Sequence, residues 1–268
     1  MNKAAVFFDL DGTICDIKKG MPDDTINAIH RLRENGHKAF LCTGRSRAYL
    51  PKELSALNLD GMVAACGAYL EYQGHCIYNE RMSAPVARKT VEILRANGLV
   101  PVMEGWDYLY YDKEEYHNEI DWYADLITEQ LGSRWRPIRN YENIMEINKV
   151  SAKRTEGCDY EKALQELSGD YDFINHGEHG FASNTIEMVP RGVSKATGIE
   201  RMIRTLGIAW ENTVAFGDSN NDIPMFEYVH TKVAMGNASQ PLKNMADYIT
   251  DDMWKGGIAN GLRHFQLI

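Results

Sequence analysis

Ala4 to Phe8 is a short continuous apolar run, ended by Asp9 and the acidic and glycine residues that follow. A run of that length predicts a strand buried on both faces, as parallel sheets require. Asp23 or Asp24 can cap a helix with Ile26, Ile29 and Leu32 on its apolar stripe and a stop at Asn35-Gly36. Ala39 to Cys42 predicts a second buried strand, Arg47 to Leu57 a helix, and Met62 to Ala65 a third strand. Strands and helices alternating over short links predict an α/β fold with a doubly wound, mostly parallel sheet.

A hairpin is expected next, with Ala68 to Tyr72 and Cys76 to Tyr78 flanking Gln73-Gly74. The texture then becomes more polar and richer in Tyr and Trp. Helices are predicted over 84–97, 120–131 and 160–167, and strands over 100–103, 108–111, 149–153, 173–175 and 185–189. After Pro190 the earlier alternation returns: a helix over 194–206, a strand over 213–216, a short helix over 223–228, a strand over 232–235 and a closing helix over 258–265. The economical reading is an α/β core built from residues 1–80 and 189–268, with an α+β module inserted over 81–188.

Length and composition fit that reading. A chain of 268 residues exceeds one typical domain, and 44% hydrophobic with 25% charged residues is ordinary for a globular protein. A formal net charge of -9 argues against broad nucleic-acid or anionic-membrane binding, while a local cation would still admit an anionic substrate. The five cysteines show no metal or redox spacing, which fits free thiols in a reducing compartment. The opening apolar run is too short for a leader or a membrane span, so a cytoplasmic protein is expected.

Four loops carry the candidate chemistry. Asp9-Leu10-Asp11-Gly12-Thr13 places two carboxylates just past a buried strand, where open α/β sheets bind ligands. One Asp can attack phosphorus, and a second can protonate the leaving oxygen and then activate water. The alternative is an ordinary acidic turn, which the position of the string directly after an apolar strand disfavours. In Leu41-Cys42-Thr43-Gly44-Arg45, a hydroxyl and a Gly N–H could donate to phosphate, although alone this is a plain strand-to-helix turn. Ser194 reads as a helix N-cap, which puts Lys195 in the first turn. A cation there opposes the helix dipole unless an anion or carboxylate lies near, and a solvated surface Lys is as good a reading.

The fourth loop is Gly217-Asp218-Ser219-Asn220-Asn221-Asp222. If Asp218 joins Asp9 and Asp11, their repulsion raises at least one pKa unless a cation intervenes. Oxygen ligands with open positions suit Mg²⁺. Asp222 could equally cap the helix that follows.

These motifs, in this order, resemble the haloacid-dehalogenase-like (HAD) hydrolase superfamily, and within it the Cof-like phosphatases, whose α/β cap is inserted between the second and third motifs. The gap between Thr43 and Lys195 matches that arrangement. Gly217 to Phe226 and Ala234-Met235-Gly236-Asn237-Ala238 are also similar to that branch. The resemblance implies a Rossmann-like core and a Mg²⁺-dependent phosphatase that cleaves a small phosphomonoester through an aspartyl-phosphate. It implies Asp9 as nucleophile and Asp11 as general acid/base. The metal would be held by Asp9, Asp11 and Asp218, with Asp222 supporting it from behind. The phosphoryl group would be held by Leu10, Thr43, Gly44, Lys195 and Asn221. One departure is Cys66-Gly67-Ala68, where the branch usually has Asn-Gly-Ala.

The resemblance also implies a cap that closes over the site and selects the leaving group. A small phosphorylated metabolite is the expected partner, with no nucleic acid and no membrane, for a monomer or homodimer. Two rival readings keep the same motifs: a sugar phosphomutase and a non-catalytic sensor of a phosphate ligand. His176-Gly177-Glu178-His179 reads as a polar cap loop rather than a metal site. Trp106, Tyr108, Tyr110 and Tyr111 could line a pocket, although strand alternation sends some of these rings into a core.

Overall fold

The computed structural model describes residues 3–116, 128–174 and 185–268. The chain splits into two compact units: Met1–Gly44, Lys52–Tyr78 and Ser194–Ile268 form the first, and Arg45–Pro51 with Asn79–Val193 the second.

The first unit begins with β1 (Ala5–Phe8), α1 (Asp23–Glu34), β2 (Lys38–Cys42), β3 (Gly61–Ala64), β4 (Tyr69–Tyr72) and β5 (His75–Asn79). The second contributes α2 (Ala84–Ala96), β6 (Leu99–Glu104), β7 (Leu109–Tyr110), β8 (Trp135–Arg136), α3 (Ile138–Tyr141), β9 (Lys149–Arg154), α4 (Tyr160–Leu167), β10 (Tyr171–Ile174) and β11 (Thr185–Pro190). The chain then returns to the first unit with α5 (Lys195–Leu206), β12 (Thr213–Gly217), α6 (Ile223–Tyr228), β13 (Thr231–Ala234), α7 (Gln240–Met245), β14 (Tyr248–Ile249) and α8 (Gly257–His264).

The first sheet has the order β14-β13-β12-β1-β2-β3-β4-β5. It is parallel from β14 to β3, and β4 runs antiparallel to β3. β1 lies at the centre, and Val6, Phe7 and Phe8 are fully buried as the apolar run requires. Phe7 stacks on Phe40 of β2, and Phe8 on Phe216 of β12, with ring centroids 5.0 and 5.2 Å apart. Because β2 follows on one side of β1 and β12 lies on the other, the strand order reverses there. That is the point at which an open α/β sheet leaves a crevice beyond its carboxyl ends.

The second sheet has the order β10-β11-β9-β6-β7-β8 and is antiparallel except between β7 and β8. Helices α2 and α4 cover one face, where Val91, Leu94 and Leu167 pack against Met103, Val150 and Met188. Tyr110 belongs to this core, whereas Tyr111 packs with Ala48, Tyr49, Leu109 and Leu131. That second cluster explains why Arg45–Pro51 groups with the inserted unit.

Several local expectations change. The helix over 47–57 is two separate 3₁₀ turns, Arg47–Tyr49 and Lys52–Leu57. Pro51 forces the residue before it out of the helical region, and Leu50 is extended at φ -82°, ψ 137°. Helix α1 is preceded by Pro22 with no side-chain cap, and Asp23 and Asp24 sit in its first turn, where they favour the helix dipole. Strands β8 and β14 and helices α3 and α7 appear where none was expected, each too short to show a periodic pattern. The predicted helix over 120–131 lies largely, and His176 to His179 wholly, outside the described residues. No helix among the described residues is long and apolar enough to cross a membrane. All five cysteines are free thiols.

Candidate active site

The site lies in the first unit, at the carboxyl ends of β12, β1 and β2. Asp9 follows β1 directly, and its N–H donates to the Phe216 carbonyl at 2.9 Å, continuing the ladder for one residue beyond the strand. The loop then turns on itself. The N–H groups of Thr13, Ile14 and Cys15 all donate to the Leu10 carbonyl, and the Gly12 N–H donates to the Cys15 carbonyl. The Leu10 side chain is fully buried, so only its backbone can meet a ligand. Gly12 is required twice over. Its φ is +84°, and a Cβ there would strike the Asp218 carboxylate.

Lys195 opens α5 behind a capping box made by Ser194 and Thr197. It is not a surface residue: 1% of it is exposed, and its Nζ donates to Asp9 Oδ1 and to Asp222 Oδ1, each at 2.6 Å. Those carboxylates supply the anions that a cation in a first helical turn demands. Burial alone would lower the Lys195 pKa, but Asp222 and Asp9 outweigh it and hold the ammonium well above its ordinary value.

Asp218 follows β12, and its Oδ1 accepts from Thr13 Oγ1 at 3.1 Å. Asp222 is fully buried and spends both oxygens inside the protein. Its Oδ2 accepts the N–H groups of Asp218 and Ser219 at 2.9 and 3.1 Å, while Oδ1 takes Lys195. Asp222 therefore shapes the loop that carries Asp218. Carboxylate oxygens of Asp9, Asp218 and Asp222 lie within 4.8 Å of one another, an oxygen-only set of the kind that suits a hard divalent cation.

Electrostatics mark the same point. Burial, then the charge of Asp222, pushes Asp9 up to about 7, with Lys195 pulling the other way. Burial, then Asp9 and Asp222, raises Asp218 well above the usual carboxylate range. The sequence led us to expect repulsion as the cause; removal from water is the larger one.

The remaining candidates are placed as follows. Thr43 and Gly44 are buried just past β2, where the Thr43 N–H donates to the Val63 carbonyl at 2.8 Å and its carbonyl accepts from Cys66 at 3.0 Å. Asn221 Oδ1 accepts from Ser219 Oγ at 2.8 Å, in the loop of Asp218. Asp11 is exposed. Cys66 is buried with φ +54°, a left-handed backbone that Asn tolerates better than Cys. Two residues join the site that residue-by-residue reading did not assign to it. Thr13 reaches Asp218, and Asn237 Nδ2 donates to the Gly12 carbonyl at 2.8 Å. Both stand in the motif strings quoted above, which was the available signal.

A family model of the haloacid dehalogenase-like hydrolases matches residues 6–262. Pyridoxal phosphate phosphatase YbhA of Escherichia coli (strain K12) is 27% identical over 271 residues, covering 97% of each chain. The 5-amino-6-(5-phospho-D-ribitylamino)uracil phosphatase YitU of Bacillus subtilis (strain 168) is 25% identical, covering 97% of this chain and 96% of its own. A solved structure from work on a trigonal-bipyramidal intermediate in a phosphoryl-transfer superfamily is 25% identical. It superposes with a TM-score of 0.81 over 99% of this chain and 100% of its own. The chain belongs to the haloacid dehalogenase-like hydrolases.

Proposed function

We propose that the protein is a Mg²⁺-dependent phosphatase that hydrolyses a small phosphomonoester through an aspartyl-phosphate on Asp9. The observation that carries this reading is the Lys195 ammonium fixed at 2.6 Å from Asp9, with Asp218 beside the same carboxylate. In the first step an Asp9 oxygen attacks phosphorus, the bond to the leaving oxygen breaks, and Asp11 gives that oxygen its proton. In the second, Asp11 takes a proton from water, the water oxygen attacks phosphorus, and the bond to Asp9 breaks to release inorganic phosphate. Asp11 is exposed, so its carboxyl can meet both a leaving oxygen and an attacking water.

Asp9, the Asp11 backbone and Asp218 would hold Mg²⁺, which supplies charge neutralisation for the phosphoryl oxygens. Asp222, with both oxygens engaged, keeps Asp218 and Lys195 in place. Lys195, Thr43, Gly44, Asn221 and the Leu10 backbone would hold the transferring group by charge and by N–H and O–H donors. The inserted unit acts as the cap and carries selectivity for the leaving group. That YbhA and YitU differ in the phosphate ester they are named for supports placing selectivity outside the shared chemistry. The expected place of action is the cytoplasm, on a metabolite.

The test is phosphate release across a panel of metabolite phosphomonoesters. We expect release with Mg²⁺, none after chelation, and none from Asp9→Asn. A panel in which no ester is cleaved by the Mg²⁺-loaded protein would overturn the reading.

A further inference from the structure

The string Ala234-Met235-Gly236-Asn237-Ala238 starts at the last residue of β13 and has no part in the steps above. Its hydrogen bonds give it one. Asn237 Nδ2 donates to the Gly12 carbonyl at 2.8 Å, and its Oδ1 accepts the Met253 N–H at 3.2 Å. Two residues on, the Ser239 N–H donates to the Asp218 carbonyl at 2.7 Å, and Ser239 Oγ donates to Asn220 Oδ1 at 2.8 Å. One short loop thus grips the backbone of both acidic loops. It is itself pinned: the Gly236 N–H donates to the Asp251 carbonyl at 3.0 Å, and a Cβ on Gly236 would lie 2.5 Å from the Asp252 backbone nitrogen.

We propose that Asn237 is a positioning residue for Asp11. It holds the carbonyl of the Gly12–Thr13 peptide, one peptide beyond Asp11, and so anchors from outside the turn that carries the Asp11 side chain. The N–H groups of the Asp9–Thr13 loop that close the turn go to the Leu10 and Cys15 carbonyls, whereas the Gly12 carbonyl is held from outside the loop by Asn237. Asp11 is exposed, and the turn that carries it is tied at Gly12 to a loop that is itself pinned. The inference rests on Asp11 being the general acid/base.

A merely structural Asn would affect all substrates alike. A residue that aims a general acid affects those whose leaving oxygen needs a proton. The experiment is rapid-quench phosphoenzyme formation with Mg²⁺, using p-nitrophenyl phosphate, whose leaving group departs without help, and a simple alkyl phosphomonoester, whose leaving group does not. In Asn237→Ala the alkyl rate is expected to fall about ten-fold or more and the nitrophenyl rate no more than about two-fold, with KM little changed. Asn237→Asp keeps an acceptor for Met253 but no donor for Gly12, and is expected to behave like Asn237→Ala. Equal losses on both substrates, no loss on either, or a wild-type Asn237→Asp would overturn the proposal. Asp11→Asn separates the two readings. If it lacks the leaving-group dependence, the role of Asp11 fails and the proposal with it. If it shows the dependence and the Asn237 variants do not, the positioning role alone fails.

Discussion

Each unit buries a lysine between two carboxylates, and the two lysines differ in what surrounds them. In the first unit Lys195 lies 2.6 Å from both Asp9 and Asp222. In the second, Lys149, only 3% exposed, lies 2.7 Å from Glu187 and 3.7 Å from Glu104, which also accepts from Ser151 Oγ at 2.5 Å. Glu104 stands opposite Lys149 on neighbouring strands, and Glu187 opposite Ser151. That trio is a cross-strand arrangement for burying charge in an antiparallel sheet, with one ammonium held between two carboxylates of neighbouring strands. Lys195 instead meets carboxylates delivered by two separate loops beyond parallel strands, and a third, Asp218, stands beside them. Among the described residues, Asp9, Asp218 and Asp222 form the acidic group close enough to hold an ion. Buried pairing alone therefore does not make a site. A site needs the extra carboxylate and the crevice where the strand order reverses.

Substitution of each lysine by Met tests this contrast most strongly. Both changes strand buried carboxylates, and each is expected to cost about 3–5 kcal/mol of stability in denaturant unfolding. Phosphatase turnover should fall about 10³-fold or more in Lys195→Met and by no more than about three-fold, per folded molecule, in Lys149→Met. A folded Lys149→Met as inactive as Lys195→Met would erase the distinction and make the buried charges of the second unit part of the catalytic apparatus.

A smaller effect is expected from Gly12→Ala. The left-handed φ costs a non-glycine about 1–2 kcal/mol, and the new Cβ displaces the Asp218 carboxylate. Mg²⁺ affinity measured by calorimetry should drop at least about ten-fold. Unchanged affinity would mean that Asp218 does not hold the ion.

The smallest effect is one of pH. Without a cation, Asp9 titrates near about 7, so protons compete with the metal, and Mg²⁺ affinity should weaken by up to about ten-fold per pH unit below that point. The stability sign follows from the same shift. A carboxyl raised from 3.8 to about 7 holds its proton more tightly when folded, so its ionised form destabilises the fold above about pH 7. The metal-free protein should gain thermal stability from this group as pH falls from about 7 towards 3.8, and saturating Mg²⁺ should abolish the gain. Among the described residues the carboxylates beside Lys149 join no group of three ligating side chains, so they give no metal-dependent counterpart.

Much of the first unit was legible because its information is local. Apolar runs such as Ala4 to Phe8 read as buried strands by their short length and their acidic and glycine flanks, and the acidic strings that follow them mark strand ends. Even the demand of Lys195 for an anion was readable from Ser194 as an N-cap. What escaped depends on partners distant in sequence. Thr13 meets Asp218, Asn237 meets Gly12, and Lys149 meets Glu104 and Glu187 only once strand order and register are set. Short elements escaped for another reason: β14 and α7 hold too few residues for a period to emerge. The error over 47–57 was avoidable, since Pro51 stands in the middle of the predicted helix.

The central claim is that Asp9 becomes phosphorylated. Acid quench of the Mg²⁺-loaded protein within its first turnover, followed by borohydride reduction and peptide mass spectrometry, reads this directly. The account predicts that borohydride converts residue 9 to homoserine in the wild type and that no such conversion occurs in Asp9→Asn. Phosphate release without any label on the enzyme, or label at another residue, would contradict it.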